Sequence, residues 1–142
     1  MDADLQHSTD AIPDFIERVR SQKSTFIIRK RARRKSGMPV HRILSNSITS
    51  WILGVLSGQK IEDSQCGYRL IHKTVLKDVQ GHLFENGFQM ESEFIVRAAQ
   101  HGYSVDFVGI PTIYNREATS IRNITDTLKF IRFVLRNAGR KK

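Results

Sequence analysis

"DAIPDFIERVRSQKSTFIIRK", Asp10 to Lys30, holds two periodicities back to back. In its first half Phe15, Ile16 and Val19 recur at helical spacing, Pro13 suits a first turn, and Asp10 is the expected cap. In its second half Phe26, Ile27 and Ile28 make a short apolar run of strand length. A helix feeding a strand, with further helices and strands alternating behind it, favours an α/β layer architecture.

Outward from that stretch the alternation continues. Val40, Ile43, Leu44, Ile48, Trp51, Ile52 and Val55 lie at helical spacing, and Gly58 is the expected stop. "EDSQCGYRLIHK" reads as a turn leading into a short strand, followed by a small helix around Thr74–Val79 and a loop containing glycines. "MESEFIVRAAQHG" is a helix closed by Gly102, and "YSVDFVGIPTIY" supplies one or two strands. The last helix runs from about Ile121 to Arg136 and divides cleanly. Arg122, Lys129, Arg132 and Arg136 fall within an arc of about 80°, while Ile124, Leu128, Ile131, Val134 and Leu135 occupy the other side.

The 142 residues suffice for one domain with a real core, and 39% hydrophobic with 26% charged residues is a globular balance. A net charge of +9 points to an anionic partner: nucleic acid, a phosphorylated ligand or anionic lipid headgroups. The single cysteine, Cys66, excludes an internal disulfide framework and a cysteine-based zinc site, and fits a reducing compartment. The first residues are acidic and polar, unlike a signal peptide. Val40 to Leu56 is apolar-rich, but His41, Arg42, Asn46 and several hydroxyls make it too polar for a membrane span.

Two acid-x-acid pairs occur, Asp2-Ala3-Asp4 and Glu91-Ser92-Glu93. The first, with the Gln6 amide, is either a solvated or helix-capping acidic terminus, or a set of hard oxygen donors suited to Mg²⁺ or Mn²⁺. In the second, Glu91 shares a face with Phe94, Ile95 and Ala98 and is expected to point inward. Glu93 is expected on the opposite side, paired with Arg97 at i+4. From Arg29 to Lys35 six of seven residues are Lys or Arg, the exception being Ala32; such a run is a solvated charge cluster or a phosphate contact. No Gly-rich nucleotide loop precedes the acidic triplet, so the chain reads as the second half of a larger α/β unit.

Taken together, "MDADLQH", "RKRARRKSGMPVHRILSNSIT", "IEDSQCGYRLI", "GFQMESEFIVRAA" and "VGIPTIYNREATSI" resemble, in this order, the family 2 glycosyltransferases of GT-A fold. The similarity is to the polyprenol-phosphate or dolichol-phosphate mannose and glucose synthases, and covers nearly the whole chain. It implies the C-terminal portion of a Rossmann-like domain, a mixed sheet flanked by helices. Residues 1–142 would be the metal and acceptor half, with the nucleotide-binding half missing and an amphipathic basic helix at about 121–142.

The resemblance also implies roles. Asp4, helped by Gln6, would bind the divalent ion that bridges the donor diphosphate, with Asp2 near the ribose or a metal-bound water. Arg31 matches the arginine of a Gly-Ser-Arg turn, although Arg29 and Lys30 stand where the glycine and serine would be. Asp63 and Arg69 would be polar anchors on the acceptor side, and Arg116 would clamp phosphate beside the acceptor. Relatives that act on sugar hydroxyls carry Glu-Asp where this chain has Glu91-Ser92. An acceptor that is already an anionic lipid phosphate needs no general base.

The expected function is thus metal-dependent, inverting transfer of a hexose from a nucleotide-diphosphate sugar to a polyprenyl phosphate. Asp4 and Glu91 are the catalytic candidates, Mg²⁺ or Mn²⁺ the cofactor, and the expected location is peripheral, at the cytoplasmic face of an anionic membrane. A non-catalytic basic membrane-surface module and a nucleic-acid-binding module are the rivals. Against the last, no helix-turn-helix, RRM or zinc pattern is present and no aromatics interleave with the basic run, so no nucleic-acid partner is expected.

Overall fold

The computed structural model describes residues 9–30, 40–109 and 123–138, with backbone alone at 41, 42, 88, 123–128 and 138. A 3-10 turn, Thr9–Ala11, leads into α1 (Ile12–Gln22), then β1 (Phe26–Lys30), α2 (Val40–Ser57), β2 (Arg69–Ile71), α3 (Lys73–Gln80), α4 (Phe88–Gln100), β3 (Asp106–Gly109) and α5 (Asn123–Ala138).

β1 is the centre of a three-stranded sheet of order β2-β1-β3. It pairs antiparallel with β2, Ile27 opposite Leu70, and parallel with β3, Ile27 opposite Asp106. The sheet is therefore mixed, as expected. Phe26, Ile27, Ile28 and Arg29 are all buried, because β1 is covered on both faces and so needs no polar alternation. Phe15 of α1 lies over the Tyr68 ring at 4.8 Å, and Phe26 meets Phe94 of α4 edge-on at 5.4 Å. An Arg18 Nη donates to the Phe107 carbonyl at 3.3 Å and ties α1 to β3.

α4 is the spine of the helical layer, packed against α2, α3 and α5. Every residue from Ser92 to Ala98 is buried, which leaves this helix no solvent face along two turns. α2 ends in a Schellman-type bond, the Gln59 N–H to the Gly54 carbonyl at 3.2 Å. Gly58 supplies the left-handed residue that this stop requires, at φ 67°. Gly54 lets the chain fold back closely: a Cβ there would sit 3.0 Å from the Gln59 carbonyl oxygen. Among the described residues no helix is long and apolar enough to cross a membrane.

Two local expectations are corrected, and packing decides which sides of α2 and α5 face the core. Asp10 lies in the 3-10 turn, and Ala11 takes the N-cap position of α1 without a side-chain bond. Arg29 belongs to the buried strand, 1% exposed beneath the Tyr68 ring, instead of opening a solvated basic loop. The apolar stripe of α2 faces outward: Val40, Leu44, Ile48, Trp51 and Val55 are exposed, while Thr49, Ser50 and Leu53 turn to the core. On α5 the core side is Phe133 and Asn137, with Phe130 and Val134 partly buried, and Ile131 and Leu135 are exposed. The apolar arc read from sequence is thus rotated away from the packed one.

Candidate active-site face

Between α2 and β2 the chain makes a tight polar turn. Asp63 is fully buried, and its Oδ1 accepts the Gln65 N–H at 3.2 Å, the self-bracing typical of an aspartate in a turn. The Ser64 N–H donates to Ser50 Oγ at 3.1 Å, and the two serine hydroxyls share a bond of 3.1 Å, so α2 holds the turn from behind.

Arg69, the first residue of β2, gathers this turn to α4. Its Nε donates to the Cys66 carbonyl at 3.0 Å and one Nη to the Ser64 carbonyl at 2.9 Å. It also donates to the Glu91 carbonyl at 3.3 Å and to Glu91 Oε2 at 2.8 Å. A planar guanidinium with forked donors is the side chain that meets four such acceptors at once. The Arg69 side chain is 9% exposed and that of Glu91 36%, so Glu91 presents its carboxylate at the surface end of a largely buried cluster. Two predicted site residues, Arg69 and Glu91, are therefore brought into contact, and Arg69 also holds the turn that follows the third, the buried Asp63, through the Ser64 carbonyl.

The two glutamates of α4 exchange the places expected of them. Glu93 is the buried carboxylate: its Oε2 accepts the Phe84 and Glu85 N–H groups, both at 2.8 Å, and its Oε1 accepts from Arg97 at 3.2 Å. The i+4 partnership with Arg97 is as expected; the burial is not. Because α4 is enclosed on nearly all sides, both carboxylates lie against protein, and the helical wheel could not rank them.

Sequence reasoning missed two further groups. Glu62, next to Asp63, pairs with Lys30 and, at 3.7 Å, with Lys60. The Lys30 hydrogen bond holds its carboxyl below the usual range, against a smaller opposing effect of burial. The charge alternation Lys60-Ile61-Glu62 was the available signal. Glu85 reaches Arg136 of α5 at 2.6 Å, a contact 51 positions apart that no local pattern announces. Tyr103 donates its hydroxyl to Asp78, and that bond pushes the phenol upward from its ordinary value. Cys66 is buried and small-residue-like, as expected.

Asp2, Asp4, Gln6, Arg31 and Arg116 lie outside the described residues. Among the described residues no group of three or more His, Cys, Asp or Glu side chains is placed to hold a metal ion. No family model matches the sequence.

Individual relatives do match. An uncharacterized protein of Methanocaldococcus jannaschii is 29% identical over 122 residues, 84% of this chain and 50% of that protein. A second uncharacterized protein of the same organism is 28% identical over 126 residues, covering 84% of this chain and 53% of its own length. The UDP-N-acetylglucosamine–dolichyl-phosphate N-acetylglucosaminyltransferase of Methanococcus voltae is 28% identical over 116 residues, 80% of this chain and 46% of the enzyme. The chain spans about half the length of the curated relatives it matches. A distant homologue of this α/β chain is therefore a dolichyl-phosphate glycosyltransferase.

Proposed function

We propose that this chain is the metal and acceptor half of a family 2, GT-A-type glycosyltransferase that passes a hexose, or a hexosamine as in the Methanococcus voltae relative, from a nucleotide-diphosphate sugar to a polyprenyl phosphate. The observation that carries the reading is the similarity to that dolichyl-phosphate enzyme over 80% of the chain. The bonding of Arg69 to Glu91 and to the turn that follows Asp63 supports it.

In this reading an acceptor phosphate oxygen attacks the anomeric carbon in line, the bond from that carbon to the diphosphate breaks, and the configuration inverts. The acceptor is anionic before it binds, so no residue has to remove a proton from it. That accounts for Ser92 following Glu91, where a catalytic base would otherwise stand. Arg69 acts as a positioning residue, holding the Asp63 turn and the first turn of α4 as one rigid wall. Arg116 is proposed to meet the acceptor phosphate, and Arg31 a phosphate of either substrate. The carboxylates of Asp2 and Asp4 with the Gln6 amide are a donor set of the right chemistry for Mg²⁺ or Mn²⁺. When bound, such an ion neutralises charge on the departing nucleotide diphosphate. The protein works at the cytosolic membrane surface, where polyprenyl phosphates present their headgroups.

A radiolabelled-sugar assay tests this. Completed with an N-terminal donor-binding half, the chain is expected to transfer sugar to a polyprenyl phosphate in a metal-dependent manner. Asp4→Ala and Arg116→Ala should each lower the rate at least about a hundredfold. The 142-residue chain alone should be inactive; robust transfer by it removes the half-domain reading. Transfer to a sugar hydroxyl and not to a lipid phosphate removes the acceptor assignment.

A further inference from the structure

At the end of α4 remote from Glu91, two histidines come together. His101 is the C-cap of α4, about 15 Å along the helix axis from Glu91. His82 follows the last residue of α3 by two positions. Their ring centroids are 5.0 Å apart and their planes are tilted by 41°. Both residues are exposed, and among the described residues neither ring takes part in a hydrogen bond or an ion pair. His72, by contrast, is engaged: its Nδ1 accepts the Thr74 N–H at 3.3 Å as the cap of α3.

The fold holds the two histidines in place. The His82 N–H closes on the Val79 carbonyl at 2.9 Å, and the His101 N–H on the Arg97 carbonyl at 3.0 Å, so each sits in a helix-ending turn. The Tyr103 hydroxyl donates to Asp78 and joins the same two segments, two positions beyond His101 and four before His82. A tilt of 41° is neither the offset-stacked nor the edge-on arrangement by which aromatic rings attract each other, so ring attraction does not account for the pair.

From this geometry we infer that His82 and His101 hold one divalent transition-metal ion such as Zn²⁺ between them, as a clip across the ends of α3 and α4. Two imidazole nitrogens about 2.1 Å from one ion, at a tetrahedral angle, put their ring centroids about 5 Å apart. That is the separation found. Imidazole suits Zn²⁺, Cu²⁺ or Ni²⁺, whereas Mg²⁺ is served by oxygen. The charge around the pair favours a cation. α3 and α4 both end here, and a helix C-terminus carries partial negative charge. Asp78 adds a carboxylate on one of the two segments. Of the cations in the last turns, Arg97 is turned inward onto Glu93 and Gln100, and Lys77 is exposed. The ligand set is two imidazoles with water completing the shell, since among the described residues no group of three or more such side chains is placed on one ion. In chemistry this site differs from the oxygen donors proposed at Asp2, Asp4 and Gln6, and it does not depend on the transfer reaction.

The chain is titrated with Zn²⁺ alone, followed by calorimetry and by NMR of its five histidine rings. One ion per chain is expected, with the ring signals of His82 and His101 shifting and the others still. His82→Ala and His101→Ala should each weaken binding at least about a hundredfold, because two linked ligands bind far more tightly than one. Both residues are exposed, and the metal-free melting temperature checks that the variants stay folded. With Zn²⁺ at about a hundred times its dissociation constant, that temperature should rise by about 5 °C or more in the native chain and in neither variant. Asp4→Ala should leave the binding as it is; its loss there would assign the ion to the acidic triplet and overturn the clip. Ring shifts confined to His7, His41 or His72 overturn it as well, and so does binding that survives both alanine substitutions together. Ring signals that stay still in a large excess of Zn²⁺ overturn it outright. An ion taken up only as two chains associate overturns it in favour of a site between copies.

Discussion

α2 and α4 lie against each other and solve opposite problems. α4 carries charged residues into the interior: Glu93 is fully buried and Arg97 nearly so, each bonded. α2 carries apolar residues out to solvent and turns hydroxyls inward. A buried charge is tolerable where partners are built in, here two backbone N–H groups and a guanidinium. An exposed apolar stripe persists where its use lies outside the folded chain. The pair shows that polarity pattern and burial separate wherever a helix serves a partner or braces a loop.

The largest test of this contrast falls on α4. Glu93→Ala leaves Arg97 buried without its counter-charge and strips two N–H groups of their acceptor. It should cost about 3–5 kcal/mol in urea unfolding; a cost below about 1 kcal/mol would mean that Glu93 is not the brace of the 84–85 loop. Next comes α2 against itself. Leu53→Ala, on the buried side, should cost about 2–5 kcal/mol, and Leu44→Ala, on the stripe, no more than about 0.5 kcal/mol. Equal costs would dissolve the distinction between the two faces. Smaller still, a double-mutant cycle on Glu85 and Arg136 should give at most about 1 kcal/mol, because that pair is partly solvent-screened.

The smallest effect belongs to Glu62 and depends on pH. Its folded-state pKa is lowered from 4.5, so its stabilising contribution is complete above about that pH and is lost as pH falls through the folded value. The stability difference between the native chain and Glu62→Gln should therefore be constant from pH 6 to 8 and shrink as pH falls below about 4.5 and through the folded value. A difference that grows on acidification would mean that Lys30 is not its partner.

Much of the element order was legible, because "DFIERVRSQ" and "TFIIRK" differ in period as well as composition. Gly58 and Gly102 marked helix ends for a physical reason, each at positive φ. The orientation of helices was not legible. A periodic stripe says that one face differs from the other, and only packing says which face the core takes, as α2 demonstrates. Glu91 and Glu93 defeated the wheel for a related cause: α4 has neighbours on nearly every side, so its period alone could not tell the buried Glu93 from Glu91 at the surface end of its cluster. Arg69 was readable as an anchor, but its grip on Glu91, 22 positions away, is a tertiary contact that no local pattern announces. Of the wider proposed site, Asp2, Asp4, Gln6, Arg31 and Arg116 lie outside the described residues and are proposed from sequence alone.

The register of the sheet has a kinetic consequence. β1 meets β2 with Ile27 opposite Leu70, a separation of 43 positions (70 − 27), and meets β3 with Ile27 opposite Asp106, a separation of 79 (106 − 27). In equilibrium terms the longer closure adds only about 0.5 kcal/mol of chain entropy. In time it matters more, because distant pairings form slowly and no reward arrives until both ends have met. The helical pair α3 and α4 closes over a short loop, so it has the means to assemble early and to wait. Until β3 arrives, one edge of β1 stands open, with Phe26, Ile27 and Ile28 uncovered beside it. That interval is when this chain is most exposed to pairing with the wrong strand.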